Sequence, residues 1–248
     1  MSFTIKNKIA LVTGANRGIG KSIVESFIAH GAQKVYLAVR DVNSAAPLVE
    51  QYGDQVVPVQ VDVANAESIK SLAALATDVN IVVNNAAILE LASPLSEHAE
   101  ESLEKEFITN TLGLLRISQA FTPILESNTP SAFVQMNSVT SMKTFIDFTT
   151  YSASKAACYA ITQGLKESLE PKGIQVLSVH PGPVATDMGV EAGIAEIGAP
   201  STVVSEGIVE SLKKGEFHSF PDAMAQEIGG VYESFAKNII EPVMGEAA

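Results

Sequence analysis

The chain has 248 residues, 46% of them hydrophobic and 18% charged, apolar surface enough to offset the entropy of folding and to exclude disorder as its dominant state. A formal net charge of -12 opposes phosphate polymers and anionic bilayers, which excludes non-specific binding to nucleic acid or to a membrane surface. One core can serve a chain of up to about 250 residues, so one domain over 1–248 is expected.

The opening residues Met1–Lys8 are too polar and irregular for a signal peptide. No apolar run approaches the roughly 18 residues that cross a bilayer, so a cytoplasmic protein is expected. Ile9–Val12 reads as the first buried strand and Gly18–His30 as the first helix. Strands follow at Val35–Val39, Val56–Val61, Ile81–Val83, Phe133–Met136 and Val176–Val179, each short and rich in Val or Ile. Helical segments stand between and after them at Glu67–Ala76, His98–Glu126, Ser152–Glu170, Ser201–Lys213 and Ala223–Lys237. A brief seventh strand is expected near Phe217, ended by Pro221. Strand and helix in alternation call for an α/β, doubly wound parallel sheet covered on both faces.

Between the first strand and first helix lies Thr13-Gly14-Ala15-Asn16-Arg17-Gly18-Ile19-Gly20. Three glycines permit a tight turn and a close approach of backbone to ligand, and the helix start offers free N–H groups and a positive dipole end. That combination suits a pyrophosphate, although the spacing differs from Gly-x-Gly-x-x-Gly. The second strand ends in Ala38 and Val39, where a carboxylate would accept from an adenosine ribose, and Arg40 follows. A guanidinium grips a 2′-phosphate in a two-pronged, charge-assisted contact, so NADP(H) is favoured over NAD(H), with Arg17 as a second candidate clamp. Asp41 argues the other way, and the competing reading of Arg40 is a solvated loop charge.

Tyr151 and Lys155 stand four residues apart on one face of a helix, and Ser138 closes the strand thirteen residues earlier. Each is a weak signal by itself. Their conjunction, after the glycine turn and in this order, is specific.

With these residues the chain resembles the short-chain dehydrogenase/reductase family, of the compact single-domain type, over about residues 6–190. The matching residues are Thr13-Gly14-x-x-x-Gly18-x-Gly20, Asp62-Val63, Asn84 to Ala87, Asn110, Ser138, Tyr151, Lys155, Pro181-Gly182 and Thr186. The resemblance implies a Rossmann-like three-layer sandwich with a mainly parallel sheet of about seven strands. It makes Tyr151 the acid and base, Lys155 a ribose ligand, Ser138 a donor to the carbonyl oxygen, and Asn110 the anchor of a proton-relaying water. It also implies cofactor contacts from Gly14, Asn16, Arg17, Gly18, Ile19, Gly20, Arg40, Asp62, Val63, Asn85, Ala86, Tyr151, Lys155, Pro181, Gly182, Val184 and Thr186. Ala87 departs from the family's more frequent Gly, and its methyl tightens the floor of the nicotinamide site. For Thr186 the competing reading is a helix N-cap.

A free phenol titrates near 10, about three units above neutrality, or about 4 kcal/mol. A cation about 4 Å away at an effective dielectric near 20 supplies on the order of 4 kcal/mol, so Lys155, with oxidised nicotinamide nearby, is expected to bring Tyr151 down. Cys158, the chain's one cysteine, excludes a disulfide framework and reads as buried packing. The four histidines show no metal-ligand spacing, and no metal is expected.

Val139, Thr140, Phe145, Ile146 and Phe148, with Met188–Ala199 as a lid, are expected to flank the substrate. Their apolar character favours a small uncharged ketone, aldehyde or secondary alcohol. The alternatives are a 3-oxoacyl-thioester reductase and a non-catalytic dinucleotide-binding redox sensor. Beyond residue 200 the resemblance thins, and the family's Asp-Gly-Gly strand signature is missing. The helices His98–Glu126 and Ser152–Glu170 resemble the family's dimerisation pair, so a homodimer is expected, with a tetramer as the alternative.

Overall fold

The six apolar runs expected to be strands are β1 (Ile9–Thr13), β2 (Lys34–Val39), β3 (Val56–Gln60), β4 (Ile81–Asn84), β5 (Ser131–Met136) and β6 (Ile174–Val179). A two-residue β7 (His218–Ser219) completes the sheet. The computed structural model describes residues 3–242; residues 1–2 and 243–248, the ends of the expected domain and of its C-terminal part, lie outside the described residues. Strand order is β3-β2-β1-β4-β5-β6-β7, and every pairing is parallel.

Alternate strand residues feed two cores. Ala10, Val12, Ile81, Val83 and Val134 pack on one face with α1 (Gly18–Ala29), α2 (Ala46–Tyr52) and α8 (Ser201–Lys214). Leu11, Val82, Phe133 and Val176 pack on the other with α3 (Ala66–Leu75), α5 (Gly113–Ser127) and α6 (Thr149–Leu169). Both sheet faces are therefore dry, which is why the strands read as continuous Val/Ile/Leu runs. The remaining helices are α4 (Ala99–Glu106), α7 (Asp187–Glu191) and α9 (Ala223–Phe235). Among the described residues no helix is long and apolar enough to cross a membrane.

Three local expectations are corrected. The segment 98–126 is not one helix: a π turn at Phe107–Leu112 separates α4 from α5. There Asn110 bonds a neighbouring loop, and Gly113 lets α5 press onto the Val63 backbone, where a Cβ would lie 3.3 Å from the Val63 oxygen. A second π turn, Ala236–Ile240, likewise follows α9. β7 stops at Ser219, two residues short of Pro221, because its pairing with β6 ends at Val179. The short α2 was not expected; only seven residues long and opened by a proline, it carries little periodic signal.

Candidate active site

Strand order reverses between β1 and β4, and loops leaving neighbouring strand ends diverge there to open a crevice. A cleft of about 780 Å³ occupies this position. Its β1 wall is the glycine turn. Gly14 and Gly18 have φ of +64° and +52°, in the left-handed region where side chains are strained. At Gly20 a Cβ would sit 2.1 Å from the Gly14 oxygen, so the turn closes only on glycine. Thr13 Oγ1 ties the turn to the exit of β4 by accepting from the Asn85 and Ala86 N–H groups, both at 2.9 Å. Among the described residues no side chain caps α1, and its first turn has no acidic residue, leaving donors and a positive dipole end beside the cleft.

At the β2 exit, Arg40 is exposed, and its side chain makes no hydrogen bond or ion pair among the described residues. Asp41 spends its carboxyl as an N-cap, accepting from the Asn43 N–H at 3.0 Å. Arg17 is engaged elsewhere: its guanidinium pairs with Asp187 at 3.1 Å on the exposed rim. This weakens the expectation that Arg17 serves as a second clamp. Asp62 and Val63 line the far end, with Asp62 Oδ1 accepting from Ala64 N–H at 2.9 Å.

The other end rests on α6. Tyr151 and Lys155 lie one turn apart, both buried, with Lys155 Nζ 5.7 Å from the centre of the Tyr151 ring. Lys155 Nζ donates to the Met136 carbonyl at 2.8 Å. Burial pushes the Tyr151 phenol above its ordinary value and holds the Lys155 ammonium below its own. The expected lowering of the phenol needs an oxidised nicotinamide as well as Lys155; in the protein alone, burial sets the direction for both groups.

Ser138, at the exit of β5, caps a short 3₁₀ turn: its Oγ accepts from Thr140 N–H at 3.1 Å and donates to the Pro181 carbonyl at 3.4 Å. Its own carbonyl accepts from Ser141 Oγ and from His180 Nδ1, the latter at 3.2 Å. A carbonyl only accepts, so Nδ1 carries the His180 proton and Nε2 accepts from Ser178 Oγ at 2.7 Å. Burial drives His180 down to about 3, which keeps it neutral. Sequence reasoning missed this histidine, whose partners Ser138 and Ser141 lie about forty positions away along the chain.

Asn110 lies in the π turn and, unlike the other candidate catalytic and cofactor residues, does not line the cleft. Its amide binds both backbone groups of Ile88, at 2.9 and 3.0 Å, and donates to Ser154 Oγ at 3.0 Å. One turn earlier Glu106 was missed too. It is fully buried, burial pushes its carboxyl up, and Oε1 accepts from Glu90 N–H at 2.8 Å. Asn110 and Glu106 together clamp the loop leaving β4. Cys158 is buried as expected and donates to the Asn110 carbonyl at 3.3 Å.

Gly14, Asn16, Gly18, Ile19, Gly20, Asn85, Ala86, Pro181, Gly182, Val184 and Thr186 all line the cleft. Thr186 also caps α7, accepting from Gly189 N–H at 3.2 Å, so its two readings coexist. At the substrate end Val139, Thr140, Phe145, Phe148, Met188, Ile194 and Ile197 line the wall, whereas Ile146 and Val190 do not and are exposed. Ile88, Leu89, Ile108 and Met224 join the wall unexpectedly, as does Lys105, whose ammonium is held by Glu101 at 2.9 Å. Among the described residues, no group of three His, Cys, Asp or Glu side chains could hold a metal ion.

Known proteins with this arrangement are numerous. A family model described as short chain dehydrogenase matches residues 8–196. An uncharacterized oxidoreductase of Staphylococcus saprophyticus is 31% identical over 215 residues, covering 84% of this chain and 90% of that protein. A short chain dehydrogenase from Burkholderia cenocepacia, solved in complex with NADP, is 30% identical with a TM-score of 0.86, covering 97% of this chain and 100% of that one. A second, from Burkholderia phymatum in complex with NAD, shares the fold at 22% identity and a TM-score of 0.82, covering 97% and 99%.

Proposed function

The chain belongs to the short-chain dehydrogenase/reductase family of oxidoreductases, and on this premise we propose that it moves hydride between NADP(H) and a small, mostly apolar ketone, aldehyde or secondary alcohol. The observation that carries the reading is the buried Tyr151–Lys155 pair in the same cleft as Ser138, opposite an uncapped helix start and a turn that closes only on glycine.

The residues present fit a dinucleotide. Gly14, Asn16, Gly18, Ile19 and Gly20 would hold its pyrophosphate, and Asp62 and Val63 its adenine. Arg40 would hold a 2′-phosphate, because its exposed guanidinium makes no ion pair among the described residues and the neighbouring Asp41 carboxyl bonds the Asn43 N–H instead. Lys155 would hold the nicotinamide ribose, with Asn85, Ala86, Pro181, Gly182, Val184 and Thr186 around the ring. When bound, the dinucleotide supplies or takes up the hydride.

The protein's own share is proton transfer and charge stabilisation. A carbonyl under reduction gathers negative charge on oxygen and needs donors already in place. Ser138 and Tyr151 are those donors. Burial keeps Tyr151 protonated, the state required of a general acid, and Lys155 beside it favours the charge left behind once the proton has gone. Asn110 acts at one remove by fixing the loop and α6 through Ile88 and Ser154.

Apolar walls favour a substrate without charge. Lys105 supports a second reading, an anionic acyl thioester, but its pairing with Glu101 weakens it. The homodimer expected from the helix pair belongs to the same proposal. A carbonyl and alcohol panel with NADPH, NADH and their oxidised forms, followed by absorbance, tests the reading. Consumption of NADPH by simple ketones or aldehydes is expected; strict dependence on acyl thioesters establishes the second reading, and inactivity throughout leaves a sensor.

A further inference from the structure

We propose that Asp222, from the segment beyond the family-matched residues 8–196, is a positioning residue that orients the Ser138 hydroxyl through the Pro181–Gly182 peptide. The inference rests on the hydride-transfer reading, in which Ser138 donates to the reacting oxygen.

Asp222 is 5% exposed, and both of its carboxyl oxygens are used. Oδ1 accepts from Ala225 N–H at 3.0 Å, capping α9. Oδ2 accepts from Gly182 N–H at 2.7 Å. Capping α9 explains the first bond and gives no reason for the second.

The second bond acts on one peptide unit with two ends. Its N–H belongs to Gly182 and is taken by Asp222. Its carbonyl belongs to Pro181 and accepts from Val139 N–H at 3.0 Å and Ser138 Oγ at 3.4 Å. A trans peptide is planar, with N–H and C=O pointing opposite ways, so holding one end aims the other. Asp222 thereby aims the acceptor on which the Ser138 hydroxyl rests, while His180 and Ser141 hold the Ser138 carbonyl from behind. Ser138 is gripped on both sides, and one grip originates in the C-terminal segment.

Residue 182 shows how closely the parts are fitted. A Cβ there would lie 2.6 Å from Asp222 Oδ1, so the carboxyl fills space that only glycine leaves. Two residues further along α9, Met224 reaches the cleft wall, bringing the same segment to the substrate. Without Asp222 the part-buried Gly182 N–H loses its acceptor, and the peptide is held from its Pro181 end alone.

The variant Asp222→Ser separates the two roles. Serine is a good N-cap and keeps the bond to Ala225, but is too short to reach Gly182. Steady-state reduction of the preferred carbonyl and thermal unfolding are measured side by side, with kinetics run well below both midpoints. The expected result is a fall in kcat of roughly ten- to hundredfold with the carbonyl KM changed by less than about threefold. A kcat within twofold of wild type overturns the inference, whatever the unfolding temperature does, because Asp222 is then a cap alone. Failure of the underlying reading looks different: the wild-type chain itself then turns over no carbonyl, and both proposals fall together.

Discussion

The nucleotide end of the cleft is made of backbone, and the chemical end is made of side chains. At β1 and α1 the working parts are a glycine turn and an uncapped helix start, drawn from eight consecutive residues. At the exits of β5 and β6, on α6 and at the start of α9 they are Ser138, His180, Tyr151, Lys155 and Asp222, drawn from four separate places in the chain and held by hydrogen bonds to neighbouring strand exits and by the Tyr151–Lys155 contact. A backbone site tolerates many side chains but no crowding, whereas a side-chain site tolerates crowding poorly and the loss of one partner worse. The two ends should therefore fail differently.

Among changes to folding and nucleotide binding, the largest effect is expected from crowding the turn. Gly20→Ala places a Cβ 2.1 Å from the Gly14 carbonyl oxygen, so the loop must open. We expect a loss of about 3 kcal/mol of stability and of about a hundredfold in nucleotide affinity, read by thermal unfolding and fluorescence titration. Wild-type affinity in this variant would mean that the turn does not shape the site.

His180 tests the opposite end through pH. Its folded pKa is depressed from 6.5 to about 3 by burial, so below 6.5 the unfolded chain binds a proton that the native one refuses. Its contribution is undiminished above about pH 6.5 and falls with pH toward about 3, by about 1.4 kcal/mol per unit. His218, also lowered by burial, adds a slope of the same sign. His180→Gln should flatten denaturant-measured stability between pH 4 and 6 by about one proton's worth of slope. An unchanged slope would show that His180 titrates freely.

The smallest effect belongs to Arg40, an exposed residue. Arg40→Ala should lower the preference for NADPH over NADH by about tenfold, with little change in kcat on NADPH at saturation. Retention of the full preference would move the clamp elsewhere, and Arg17 is poorly placed to supply it while Asp187 holds it.

The same contrast decides what could be read from the sequence. The strands and the glycine turn were legible because each is a local pattern: a run of branched apolar residues, or three glycines between a strand and a helix. Tyr151 and Lys155 were legible because helical spacing places them together, and their resemblance to a known family gave them roles. His180 and Asp222 were not legible. Their bonds to Ser138 and Gly182 span about forty positions, and no local spacing announces them. The π turn escaped for a related reason, since Phe107–Leu112 keeps helical composition while a loop contact at Ile88 reshapes it. The directions of the Tyr151 and Lys155 shifts in the protein alone escaped because a pairwise Coulomb estimate leaves out the hydration that burial removes.

The central claim is that the Tyr151 phenol gives its proton to a carbonyl in this cleft. Its most direct test is NADPH-dependent reduction by Tyr151→Phe beside wild type, with nucleotide binding titrated in the same preparations. The account predicts a fall in turnover of about a thousandfold with nucleotide affinity preserved within about twofold. A variant that binds nucleotide normally and keeps a tenth or more of wild-type turnover would contradict it.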